Sequence, residues 1–78
     1  MNGGAMGVPD RALAAIRRQS WEDLKLLLHP YLHWTCADGR VIRGRKNVLA
    51  YLAASPVATP PPSHELRDGQ IYRWVEAD

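Results

Sequence analysis

The chain has 78 residues, 10 Lys and Arg against 8 Asp and Glu, and one cysteine, for a formal net charge of +2. A domain this small buries only about 60% of the surface its unfolded chain exposes, so a partner surface is expected to contribute to stability. A single cysteine excludes an intramolecular disulfide and fits a reducing compartment. No apolar run approaches the ~20 residues of a membrane span and no basic region followed by an apolar stretch opens the chain, so the expectation is a cytoplasmic protein without a membrane partner. Basic residues are scattered among acids rather than gathered on one face, which argues against a nucleic-acid partner.

Residues 1–8 carry three glycines and no apolar period, and are expected to form a disordered N-terminal tail before a single α+β domain over 9–78. Pro9 and Asp10 offer a helix start, and Ala12, Leu13, Ala15 and Ile16 give an apolar stripe ahead of Arg17 and Arg18. Ser20 reads as the N-cap of a second helix, with Asp23 three residues on as its capping acid. Trp21, Leu24, Leu27 and Leu28 make the buried face of that helix, and Pro30 ends it, because proline cannot donate to the ladder and excludes helical geometry at His29.

From Tyr31 to Ala37 the residue types favour a strand. Alternation places Leu32, Trp34 and Cys36 on one face and Tyr31, His33 and Thr35 on the other, and neither face is plainly for solvent. Asp38-Gly39 predicts a two-residue type I′ hairpin into Val41 and Ile42. Arg45 to Ala54 reads as a third helix with Val48, Leu49 and Leu52 inward and Tyr51 at its edge.

Four prolines over 55–63 predict an extended, stiff spacer. His64 to Arg67 and Gln70 to Val75 then form a second hairpin around Asp68-Gly69. A two-residue loop sets Leu66 opposite Ile71, and a bulged three-residue loop shifts the pairing by one. The resulting fold class is α+β: helix, helix, hairpin, helix, hairpin, with a short curved antiparallel sheet and the helices on one face.

The run WEDLKLLLHPYLHWTCADGRVIRGRKNVLAYL, Trp21 to Leu52, resembles the N-terminal half of the nuclear-transport-factor-2-like superfamily, in particular its SnoaL-like branch. The closing ELRDGQIYRW, Glu65 to Trp74, is similar to that family's final strands. Family members are longer and build a cone around an apolar pocket, and here the proline-rich spacer stands where their middle strands would be. The resemblance therefore implies a truncated cone, open or completed by a second subunit. Members resembling ketosteroid isomerase carry a catalytic carboxylate on the first strand. An ungapped register anchored on Gly44 puts Thr35 there, and since threonine cannot serve as that base, no catalytic residue carries over.

Three groups of residues are candidates for function. His29, His33 and Cys36 are close in sequence, but Pro30 breaks the helix between the histidines, and His33 and Cys36 have opposite parity on a strand, so no metal site and no cofactor is expected. Tyr31, Trp34, Tyr72 and Trp74, with His33 and Thr35, could line a pocket for a small apolar ligand or form a subunit interface, and aromatic enrichment at interfaces favours the second. Arg43, Arg45 and Lys46 straddle a strand and a helix start, where free N–H groups attract anions. The leading expectation is a homodimeric binding or accessory module. The alternatives are a small isomerase, dehydratase or cyclase acting on a polyketide- or steroid-like substrate, with His33 as its weak candidate acid or base, and a module that binds a different protein through its sheet edge.

Overall fold

A computed structural model describes residues 7–57 and 59–77. Helix α1 spans Val8–Arg18, α2 Trp21–Leu27 and α3 Arg45–Ala54; strands are β1 Leu28–Thr35, β2 Val41–Arg43, β3 Ser63–Arg67 and β4 Gln70–Val75. Of the expected tail, residues 1–6 lie outside the described residues, whereas Gly7 caps α1 and Val8 begins it. The Gly7 N–H donates to the Asp10 carboxylate at 3.2 Å, so the acid of the first turn secures an otherwise unpartnered donor. At α2 the anticipated capping box does not form. The Ser20 hydroxyl donates instead to the Asp23 side chain at 2.8 Å, and that carboxylate lies 3.5 Å from Arg18.

The helix boundary predicted at Pro30 falls earlier. Leu28 opens β1 rather than completing the buried face of α2, and Pro30 lies inside the strand. Proline is tolerated there because the pairing of β1 with β4 is interrupted between Leu28 and His33, so no ladder hydrogen bond is asked of it.

The four strands form one sheet in the order β2-β1-β4-β3. Both hairpins are antiparallel, but the central pair β1 and β4 is parallel, so the sheet is mixed where a wholly antiparallel one was expected. The connection through α3 and the proline-rich segment carries the chain back past the sheet. The β3–β4 hairpin therefore enters with its second strand beside β1 and pointing the same way.

The two Asp-Gly turns differ. At the second, Asp68 and Gly69 both have positive φ (54° and 77°) and Arg67 pairs with Gln70, a two-residue loop of the type I′ kind. Leu66 accordingly lies opposite Ile71. At the first, only Gly39 has positive φ (93°), and the Cys36 N–H donates to the Arg40 carbonyl at 2.7 Å around a three-residue loop, Ala37 to Gly39. Asp38 does not take the left-handed conformation expected of it. Its carboxylate instead accepts from the Arg40 backbone N–H at 3.0 Å and from Arg40 Nε at 2.8 Å.

The core lies between the helices and one face of the sheet. Ala12, Leu13, Ala15 and Ile16 of α1, Leu24 of α2, and Val48 and Leu52 of α3 pack with Leu28, Leu32, Trp34, Cys36, Ile71 and Trp74. A bulge in β4 makes this set possible. Arg73 pairs with Glu65 and Ile71 with Leu66, which leaves Tyr72 without a partner on β3. The extra residue brings Ile71 and Trp74, three apart, onto the same inner face, where simple alternation would separate them.

Candidate functional site

The register sorts the candidate aromatics onto two faces. Trp34 pairs with Trp74 across β1 and β4 and with Ile42 across β1 and β2, and all three look toward the helices. Trp34 and Trp74 are buried within the chain, their rings stacked at 4.6 Å. Opposite residues of a sheet share a face, so Thr35, Val41 and Val75 form one row of the other side, and His33, Arg43 and Arg73 a second. No helix covers this outer face. Tyr72 contributes to it through the bulge, its ring 5.1 Å from that of His29 and 5.7 Å from that of His33, with the Arg67 guanidinium 4.1 Å above it. Tyr31, also there, is 75% exposed and Val41 52%.

The structure thus brings Tyr31, His33, Thr35 and Tyr72 together and separates them from Trp34 and Trp74. His29, read from sequence as a helix end, joins the outer group, where its Nδ1 accepts the Tyr31 backbone N–H at 3.1 Å. Cys36 lies in the core, on the opposite side of β1 from His33. Among the described residues no cluster of three or more His, Cys, Asp or Glu is placed to hold a metal ion.

On the inner side, sequence reasoning missed Glu76. It follows β4 directly, and its backbone N–H donates to the Thr35 carbonyl at 2.9 Å, extending the parallel ladder. That bond aims its carboxylate at the rim of the core. One oxygen accepts from Trp34 Nε1 at 2.6 Å and from the Tyr51 hydroxyl at 2.7 Å, the other from the Ala37 backbone N–H at 3.2 Å. Burial pushes the Tyr51 phenol above its ordinary value of 10.0, and its bonds to Glu76 and to the Cys36 thiol push it further. Tyr51 therefore stays protonated across the physiological range and serves as a donor. With three donors on one carboxylate, this cluster locks the end of β4 to α3 and to the first hairpin. No acceptor position of it is left pointing into an open cavity among the contacts described. Trp74 Nε1, by contrast, has no partner among the described residues.

The basic candidates separate as well. Arg43 stands on the outer face opposite His33. Arg45 and Lys46 open α3 and line a groove of about 400 Å³ together with Lys25, Pro30 and Leu49.

No protein-family profile matches the chain, and no curated protein matches it. Among solved structures it is similar to one described as "putative ketosteroid isomerase" from Kribbella flavida DSM 17836, with a TM-score of 0.65 over 91% of this chain and 79% of that one, at 19% identity. A likeness at that identity is one of fold. Three helices against a four-stranded open sheet make this an α+β chain of the nuclear-transport-factor-2-like type. No helix among the described residues is long and apolar enough to cross a membrane.

Proposed function

We propose that this chain is a shortened module of the nuclear-transport-factor-2-like type that works as a homodimer, binding or assisting rather than catalysing, with the outer face of the sheet as its interface. The observation that carries this reading is the uncovered face itself. Thr35, Val41 and Val75 form an apolar row, and Tyr31, His33 and Tyr72 stand beside it, on a sheet whose other face is fully used by the helices. A twofold axis through such a face lets the same residues cover one another in both subunits, with the arginines and Glu65 left to the rim. An apolar ligand held at the same face would lie between the two sheets.

Light scattering coupled to size exclusion at low micromolar concentration tests this. The expected species is a dimer, and the double substitution Tyr31→Asp with Val41→Asp should convert it to a monomer of unchanged circular dichroism. A wild-type chain that is monomeric and fully folded would remove the proposal. Native mass spectrometry from cells separates self-pairing from pairing with a different protein, which would use the same face. The enzymatic alternative rests on analogy of fold. His33 lies on the outer face rather than within the core, and Glu76 already accepts three hydrogen bonds, which supports a structural part for each.

A further inference from the structure

The groove beside the start of α3 combines features that a folded chain has no structural reason to bring together. Its walls are Lys25 from the last turn of α2 and Arg45 and Lys46 from the first turn of α3, and its apolar parts are Pro30 and Leu49. No acid contributes to the lining. The ion pairs among the described residues are Arg18 with Asp23, Arg40 with Asp38 and Arg73 with Glu65, so none of the three groove cations is matched by a carboxylate.

The placement of two of them runs against helix electrostatics. The N-terminus of a helix carries the positive end of the macrodipole and favours acids, and each cation there is opposed by it. The first turn of α3 contains no acid, and its N-cap, Gly44, offers no side chain to the free N–H groups. The Gly44 N–H is taken by the Leu32 carbonyl, and the first bond within the helix is that of Val48 to Gly44. The N–H groups of Arg45, Lys46 and Asn47 are left over. A local rule broken without compensation inside the fold marks a place where something else compensates.

From these features we infer that the groove binds a small organic phosphate, its phosphate among Lys25, Arg45, Lys46 and the first N–H groups of α3 and its apolar part against Pro30 and Leu49. Three cations around one position match a dianion better than a carboxylate, and the apolar parts of the groove give the rest of the molecule a place that water would otherwise fill. Arg43, which sequence places in the same basic cluster, has no part in this site because it stands on the outer sheet face. The site is separate from the proposed interface and does not depend on it.

Amide chemical shifts of the full chain, titrated with hexyl phosphate, inorganic phosphate and hexanoate, test the inference. Hexyl phosphate should shift the amides of Arg45, Lys46 and Asn47 with saturation, and bind more tightly than either of the others. Lys25→Ala and Lys46→Ala, both at exposed positions, should each weaken it about tenfold, the scale of losing one charge-assisted hydrogen bond. Lys46→Ala should also raise the melting temperature without ligand, since it relieves the opposition to the helix dipole. No saturable shift with hexyl phosphate, hexanoate binding as tight as hexyl phosphate, or affinity unchanged in both variants would each overturn the assignment.

Discussion

Trp34 and Trp74 stack almost in parallel, 6° apart with centroids 4.6 Å from each other, but only the Trp34 indole N–H has a partner, Glu76. Two chemically identical side chains at equal depth thus have different tasks. Trp34 ties the core to the end of β4, and Trp74 fills volume while carrying an unmet donor.

Replacing each with phenylalanine separates these tasks. Both variants lose ring volume, but Trp34→Phe also takes a donor from the Glu76 carboxylate, whereas Trp74→Phe deletes an unsatisfied group. Trp34→Phe should cost more than Trp74→Phe by about 1–2 kcal/mol in urea denaturation. Equal costs would mean that the Trp34 to Glu76 bond contributes nothing net.

Tyr51 gives the fold an alkaline limit. Its folded-state pKa lies above the unfolded value of 10.0, so its contribution is present in full below about pH 10 and is lost as pH rises toward the folded value, because the unfolded chain gives up the proton first. Tyr51→Phe should lower stability near neutrality by about 1–2 kcal/mol and flatten the decline above pH 10. Denaturation midpoints across the alkaline range read both effects.

Gly44 holds φ 91° and ψ 140°, a conformation almost confined to glycine, while passing its N–H to Leu32 and its carbonyl to Val48. An added Cβ would meet nothing closer than the Asn47 side chain at 3.9 Å, so the cost of Gly44→Ala is backbone strain alone. The expected loss is about 1–3 kcal/mol in thermal or chemical unfolding, with no change in the β1–β2 pairing seen by nuclear Overhauser contacts.

Cys36 is 4% exposed. A thiol reagent should leave the native protein unlabelled on the timescale in which it labels the urea-unfolded chain, with a rate set by transient opening. Rapid labelling without denaturant would place the thiol at the surface.

Much of the architecture follows from local pattern. The third helix and the last strand have the bounds that apolar spacing and turn chemistry predict, and the inward set Leu32, Trp34 and Cys36 follows from alternation. What local pattern misses depends on distant partners. Leu28 has the period of a helix residue and becomes strand because Ile71 pairs with it, and the β4 bulge at Tyr72 is set by β3 and β1 together. Glu76 is the clearest case among the site residues. Its partners Trp34 and Tyr51 lie 42 and 25 residues earlier, and an acid just beyond a strand looks like any solvated terminus. A buried indole and a helix-edge tyrosine, each needing a hydrogen-bond partner, were the only available hint. The basic cluster shows the converse, since adjacency in sequence groups Arg43 with Arg45 and Lys46 while the strand sends it to the other side.

The parallel pairing of β1 with β4 also fixes when this protein can fold. Trp34 meets its stacking partner forty positions later, and the interval is spanned by a hairpin, a helix and a stiff proline-rich run. On the ribosome, the first fifty or so residues can form helices and one hairpin, but their tryptophan stays uncovered until the final strand emerges. Nascent chains of this protein therefore carry an exposed indole through most of their synthesis, and that interval, rather than the finished fold, is where a chaperone has something to hold.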